Sequence, residues 1–383
     1  MRKKKGSDGM MKYNWQHPNW PHFKYETDTF QSLIYQYIKE TSSLRGAIDQ
    51  LSDRSILDTS IELMVIEALK SSEIEGEYLQ AEDIRSSLRM NLGLSVTQSR
   101  ITDKRALGIA QLMLDMRHTF KDSLTKEKLF EWHRMLMVES SLQKNEIGCW
   151  RTSLEPMQIV SGPIGREKVY FEAPPSSRVD QEMERFIMWF NHTQPRSHDL
   201  NCLNGPIRAA IAHLYFESIH PFADGNGRIG RVLAEKVLSQ DLGSPILFSL
   251  SSVIYQRRKE YYELLHDQSG YKIEITKWIE FFVNIIYNAH KSSHEMIQFI
   301  LKKTKFWRLH EKTMNERQEK VLHRMLQEGP SGFEGGMNAQ KYMKMTGCSK
   351  ATATRDLTDL LDKGCFYRLP GSGSSSRYDI NFT

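Results

Sequence analysis

A chain of 383 residues with a hydrophobic share of 39% has room for two or three domains with real cores, which excludes a wholly disordered polymer. Lysine and arginine total 52 against 47 aspartates and glutamates, and the net charge of +5 is too small to mark a polycation. The four cysteines, Cys149, Cys202, Cys348 and Cys365, lack CxxC or Cys–His spacing, so neither a disulfide framework nor a zinc site is expected. No apolar secretory region follows the basic start Arg2-Lys3-Lys4-Lys5, and no membrane span is present, so the expected compartment is the cytoplasm.

In chain order, residues 13–25 (YNWQHPNWPHFKY) combine two prolines with aromatic residues. They cannot form a continuous helix and are expected to be an ordered strap with buried aromatic faces, in which His17 and His22 are structural. Ile61, Met64, Val65, Ala68 and Leu69 then recur at helical spacing, and Ser71 and Glu75 fall at i and i+4 on that helix, followed by Gly76. No chemistry is assigned to His133 or to Gly148-Cys149-Trp150-Arg151. The stretch MQIVSGPIGREKVYFEAPP alternates apolar and polar residues around Gly162-Pro163-Ile164-Gly165, which predicts a hairpin. Further on, Ile207, Ala210, Ile211, Leu214 and Phe216 predict a helix with Pro206 in its first turn. That helix should deliver His220 to a loop.

The loop, His220 to Arg231, reads HPFADGNGRIGR. Gly225, Asn226 and Gly227 can aim successive N–H groups at an anion, and a following helix adds its positive end, which makes a phosphate nest. Asp224 offers the hard oxygen that Mg²⁺ prefers when it shares phosphate oxygens. Arg228 and Arg231 lie three apart on one helical face and can both fork onto phosphate. His220 has the titration range of a general base, and Phe222 is a candidate core anchor. Ile229, Val232, Leu233 and Val237 continue an inward helical face that Gly243 should stop. Beyond it, Tyr255, Tyr261, Tyr262 and Leu265 predict an aromatic face.

This run resembles the signature of the Fic family of nucleotidyltransferases, H-x-F-x-[D/E]-G-N-G-R-x-x-R, and matches at every defined position. The resemblance implies that His220 deprotonates a target hydroxyl that attacks the α-phosphate of ATP. AMP then stays on a Ser, Thr or Tyr of a target protein and pyrophosphate leaves. It implies that Asp224 holds Mg²⁺, that Asn226 with the amides of Gly225 and Gly227 holds the α-phosphate, and that Arg228 and Arg231 approach the β- and γ-phosphates. Ser71, Glu75 and Gly76 fit the inhibitory pattern [S/T]-x-x-x-E-[G/N] found with many Fic modules. By resemblance, Glu75 pairs with Arg231 and keeps ATP in an unproductive pose. Tyr262 is the candidate for adenine contact, and the hairpin resembles the family's target-clamping flap.

Residues 301–383 hold fifteen Lys/Arg and nine Asp/Glu, so the excess positive charge lies there. Three helical segments and a hairpin around PGSGSSS resemble a winged helix-turn-helix whose recognition helix starts at Ser349. Lys350, Thr352, Thr354, Arg355, Arg368 and Arg377 could meet DNA, and protein docking or dimer formation stands equally open. The expected fold is mainly α: an N-terminal helical region with the inhibitory motif (1–100), a Fic helical core with a β-hairpin flap (101–295) and the winged helix (301–383). The leading function is a self-inhibited, Mg²⁺-dependent protein adenylyltransferase; a homodimer is one open assembly, and no membrane partner is expected. The alternatives are a DNA-binding regulator with a nucleotide-sensing module, and removal of AMP at the same site. The family's phosphate-transferring branch departs from GNGRxxR and this chain does not.

Overall fold

The computed structural model describes residues 12–48, 52–94, 102–161, 168–195, 203–310, 313–326, 328–370 and 376–382. Helices dominate: α1 (Gln31–Ile48), α2 (Asp53–Ile74), α3 (Ala81–Asn91), α4 (Lys104–His118) and α5 (Lys126–Leu136) precede a two-stranded antiparallel sheet of β1 (Gln158–Ser161) and β2 (Lys168–Glu172). Then come α6 (Ser176–His192), α7 (Gly205–Ile219), α8 (Asn226–Leu242), α9 (Leu250–Gln256), α10 (Arg258–Gln268) and α11 (Thr276–His310). The chain closes with α12 (Glu316–Leu326), α13 (Ala339–Thr346), α14 (Lys350–Asp362) and the antiparallel pair β3 (Phe366–Arg368) and β4 (Tyr378–Ile380). Among the described residues no helix is long and apolar enough to cross a membrane. Cys149, Cys348 and Cys365 are free thiols, and Cys202 lies outside the described residues.

The chain divides into two compact units, Met1–Thr41 with Ser60–His290, and Ser42–Thr59 with Lys291–Thr383. The core of the first unit is the antiparallel pair α7 and α8. Every residue of α7 is buried, as sequence with little polar interruption (GPIRAAIAHLYFESI) requires of a central helix. Trp278 of α11 donates its indole N–H to the Ala210 carbonyl of α7, and Lys236 of α8 donates to the Phe120 carbonyl at 3.0 Å. These bonds satisfy polar groups that would otherwise be buried unpaired. The N-terminal strap is ordered: Trp15 and Trp20 are buried, Asn14 donates to Ser218 Oγ at 2.8 Å, and Trp15 donates to the Glu172 carbonyl at 2.7 Å. His17 lies against Tyr271.

One sequence expectation differs locally from the structure. The helix carrying Ser71 ends at Ile74, so Glu75 sits in the turn beyond it rather than on a continuing helical face. After Gly243, α9 and α10 part at Arg257, whose φ of −109° and ψ of 27° leave the helical range. The hairpin carries a register shift between Ile159 and Val160, and its tip, Gly162 to Gly165, lies outside the described residues.

The second unit holds α12 to α14 and the β3–β4 pair around a core of Val321, Leu322, Tyr342, Leu357, Leu360 and Phe366. Gly347, at φ 70°, ends α13 and lets the chain turn toward α14. Asp356 of α14 is buried, and it accepts from Arg317 Nε at 2.9 Å and from the Tyr342 hydroxyl at 3.0 Å. Burial opposes its charge, but these bonds hold its carboxyl below the usual range. The segment Gly371 to Ser375 of the hairpin tip lies outside the described residues.

Candidate functional site

Helix α7 stops at His220, the one non-glycine with positive φ among the described residues (φ 51°, ψ 61°). A left-handed histidine is strained, and the surroundings hold it there. Its N–H donates to the Phe216 carbonyl at 2.9 Å, and its own carbonyl accepts from Arg151 Nε at 2.7 Å. Arg151 is itself buried and also binds the carbonyls of Pro174 and Ile219. Burial pushes its pKa down to about 10, so it stays charged at neutral pH.

The loop is then pinned from within. Phe222 is fully buried, which contributes about 1.5–3 kcal/mol of anchoring. It stacks on His133 with ring centroids 4.2 Å apart. His133 Nδ1 accepts the Gly148 N–H at 2.8 Å, so its proton resides on Nε2, which faces the Asp224 carbonyl at 3.2 Å. Burial pushes the pKa of His133 down to about 4, and the neutral ring fixes the backbone at Asp224. The Asn226 side chain accepts the Phe222 N–H and donates to the Phe222 carbonyl, both at 2.9 Å. Its amide is therefore spent as a brace, and its backbone N–H is what it offers a phosphate.

Gly225 takes φ 80° and caps α8, whose first turn is Asn226, Gly227 and Arg228. The N–H groups of a helix's first turn have no partner within the helix, and the macrodipole adds positive potential there. Beside them, Asp224 is exposed, and one of its carboxylate oxygens accepts the Gly225 N–H at 2.6 Å. The other oxygen has no partner among the described residues. Among the described residues no group of three or more metal-ligating side chains occurs. A single free carboxylate suits Mg²⁺ that takes its remaining ligands from phosphate and water.

Both loop arginines are buried and paired with carboxylates from the turn after α2. Arg231, 1% exposed, faces Glu75 Oε1 at 2.8 Å and donates to Ser71 Oγ at 2.9 Å and to the Ser71 carbonyl at 2.8 Å. Burial opposes its charge, and Glu75 together with Tyr261 and Tyr262 more than offsets this. Arg228 donates to Glu77 Oε2 at 2.8 Å. Gly76, at φ 84°, reverses the chain so that Glu75 and Glu77 both reach the loop. Glu75 also lies directly over Gly227, where a Cβ would collide with its carboxylate, so it sits at the positive end of α8. Tyr262 is tied to the same turn, its hydroxyl donating to the Ile74 carbonyl at 3.2 Å, and burial and Glu75 push its pKa up to about 12.

Sequence reasoning passes over Glu77 and assigns no chemistry to His133 or Arg151. For Glu77 the signal was its spacing of two from Glu75 across a glycine; His133 and Arg151 act through contacts distant in sequence.

Residues 123–238 match the model of the Fic/DOC family. That segment is a Fic/DOC module. Residues 13–94 match a domain of unknown function (DUF4172), which spans the strap, α1, α2 and α3. The chain is 24% identical over 246 residues to the protein adenylyltransferase Fic of Drosophila erecta, covering 62% of this chain and 44% of that protein. It is 27% identical over 119 residues to a uridine 5'-monophosphate transferase of Xanthomonas campestris pv. campestris, covering 30% of this chain and 21% of that one. The chain thus spans less than half the length of these relatives. A Fic family protein from Desulfovibrio desulfuricans shares the fold with a TM-score of 0.50 at 20% identity, covering 91% of this chain and 95% of that one. In this Fic module, α7, the loop and α8 fall within or border the matched segment, while the turn that holds the two arginines comes from the preceding domain.

Proposed function

We propose that this Fic protein transfers AMP from ATP to a hydroxyl group of a protein, and that the transfer is self-inhibited in the arrangement described above. One observation carries the reading: a complete signature loop lies between two buried helices, with a histidine at one end and the free N–H groups of α8 at the other. The relatives' names, adenylyltransferase and uridine monophosphate transferase, support nucleotidyl transfer as the reaction class.

In this reading the attacking hydroxyl gives its proton to His220 and its oxygen bonds to the α-phosphorus. The bond from that phosphorus to the bridging oxygen breaks, and pyrophosphate departs. The N–H groups of Asn226, Gly227 and Arg228 offset charge on the α-phosphate, and the two guanidiniums receive the outer phosphates. Asp224 would hold Mg²⁺, which neutralises charge on the leaving pyrophosphate. Tyr262 borders the site on the adenine side, and the β1–β2 hairpin receives the target segment along its edge.

Self-inhibition follows from the two ion pairs. While Glu75 holds Arg231 and Glu77 holds Arg228, neither guanidinium is available for a phosphate, and the Glu75 carboxylate occupies the anion-binding end of α8. Incubating the purified chain with α-³²P-labelled ATP and Mg²⁺ tests the reading. Weak self-labelling by wild type and strong labelling by Glu75→Gly are expected. Label retained from γ- but not α-labelled ATP would replace AMP transfer by phosphate transfer.

A further inference from the structure

Behind the base lies a buried polar chain that the signature does not include. Glu217 sits one turn before His220 on α7, 6% exposed, and its Oε2 is 3.6 Å from His220 Nδ1. That separation is slightly beyond a formed hydrogen bond and short enough for a strong electrostatic contact. His220 Nδ1 and Glu217 Oε1 have no hydrogen-bond partner among the described residues, so each is the other residue's natural polar neighbour. Glu217 is enclosed on its far side by the backbone of α8. A Cβ at Gly230 would come within 2.7 Å of Glu217 Oε1 and 3.1 Å of the His213 ring. Gly230 occupies one of the unspecified positions of the signature, yet here only glycine leaves room for the carboxylate. His213 in turn pairs through Nε2 with the Tyr261 hydroxyl at 2.8 Å. The polar groups therefore run from Tyr261 through His213 and Glu217 to His220. Burial opposes ionisation of Glu217, yet His220, His213 and Arg231 hold its carboxyl below the usual range.

We infer that Glu217 is a positioning residue for the base: it keeps the His220 proton on Nδ1, leaves Nε2 as the acceptor for the target hydroxyl, and stabilises the imidazolium formed when that proton arrives. An orienting carboxylate on one imidazole nitrogen serves this purpose in unrelated acyl-transfer sites. The step balances, because the hydroxyl proton moves to Nε2, the Nδ1 proton stays on the ring beside Glu217, and the imidazolium later releases its extra proton to water. The catalytic half of the inference rests on the AMP-transfer reading. The contact itself does not.

Two readouts separate them. The full chain labelled with ¹⁵N, with His220→Ala to assign the signal, reports the tautomer and titration of His220 without any turnover. Wild type should show neutral His220 protonated on Nδ1. In Glu217→Gln its titration midpoint should fall by about one pH unit or more, as expected on losing an anionic neighbour. Gly230→Ala, which displaces the carboxylate while keeping it in the protein, should move the midpoint the same way. In the Glu75→Gly background, Glu217→Gln should lower the maximal transfer rate by about 10- to 10³-fold, part of what a positioned base supplies. KM for ATP should hold, the acid limb of the pH profile should move to lower pH, and Glu217→Asp should recover part of the rate. An unchanged His220 tautomer and midpoint in Glu217→Gln overturns the inference. A shifted midpoint in a protein that transfers no AMP, even with Glu75→Gly, keeps the contact and removes the AMP-transfer reading instead.

Discussion

Arg228 and Arg231 of the loop and Lys350, Arg355, Arg368 and Arg377 of the second unit carry the same charge in opposite surroundings. The first two are buried, and each faces a carboxylate at 2.8 Å. The other four are exposed, and among the described residues none of them has an ion pair. A buried guanidinium needs acceptors: Arg151 finds them in backbone carbonyls, whereas Arg228 and Arg231 each use a carboxylate, a partner that a ligand's phosphate can replace. An exposed one has no such requirement and acts through its long-range field. In the proposed reading the loop exchanges an internal anion for an external one, whereas the exposed cations of α14 and the β3–β4 hairpin act only through their field.

The largest effect expected lies at the loop itself. His220→Ala should lower AMP transfer by about 10²- to 10⁴-fold while leaving nucleotide binding nearly intact, which calorimetry with ATP and Mg²⁺ can establish beside the labelling assay. Full transfer by this variant would remove His220 as the base.

Next in size is the behaviour of the buried pair. Arg231→Ala should not reproduce the activation expected of Glu75→Gly, since it removes the inhibitory contact and the phosphate ligand together. The double variant should be about as inactive as Arg231→Ala alone, the non-additivity of directly coupled residues. Additive rates in the four-protein cycle would place the two residues in separate roles.

Glu77 sharpens the comparison further. Glu77→Ala should raise labelling less than Glu75→Gly, because Arg231 stays held, and the two changes together should exceed either. Labelling of Glu75→Gly that is unaltered by Glu77→Ala would show that the Arg228 pair does not restrain the site.

How much of this was legible beforehand depends on how local each feature is. The loop could be read because its chemistry is contiguous, and α7 and α8 because their apolar faces are long. Ser71 and Glu75 can be paired with Arg231 only through a family resemblance, and the periodicity of α2 does not mark its end at Ile74, which the turn at Gly76 sets. Glu77, Glu217, His133 and Arg151 resemble ordinary surface or core residues in sequence. Their roles come from contacts with residues far along the chain or from the left-handed turn at His220, which no local periodicity encodes.

The smallest effect belongs to the exposed cations. If the second unit attracts DNA, the full chain should bind duplex with an affinity that falls as salt rises, each neutralised phosphate adding about 0.9 to the log–log slope. Lys350→Ala with Arg355→Ala should flatten that slope. No retardation at low salt would leave protein docking as the role of this face.

In the proposed reading the loop is competent and held idle by Glu75 and Glu77. The most direct measurement is the initial rate of self-labelling from α-³²P-labelled ATP by wild type and Glu75→Gly, side by side at equal concentration. The rate should be higher by about 10- to 100-fold for the variant, the scale on which a misplacement of about 1 Å matters, with little change in melting temperature. Equal rates in the two proteins would contradict it.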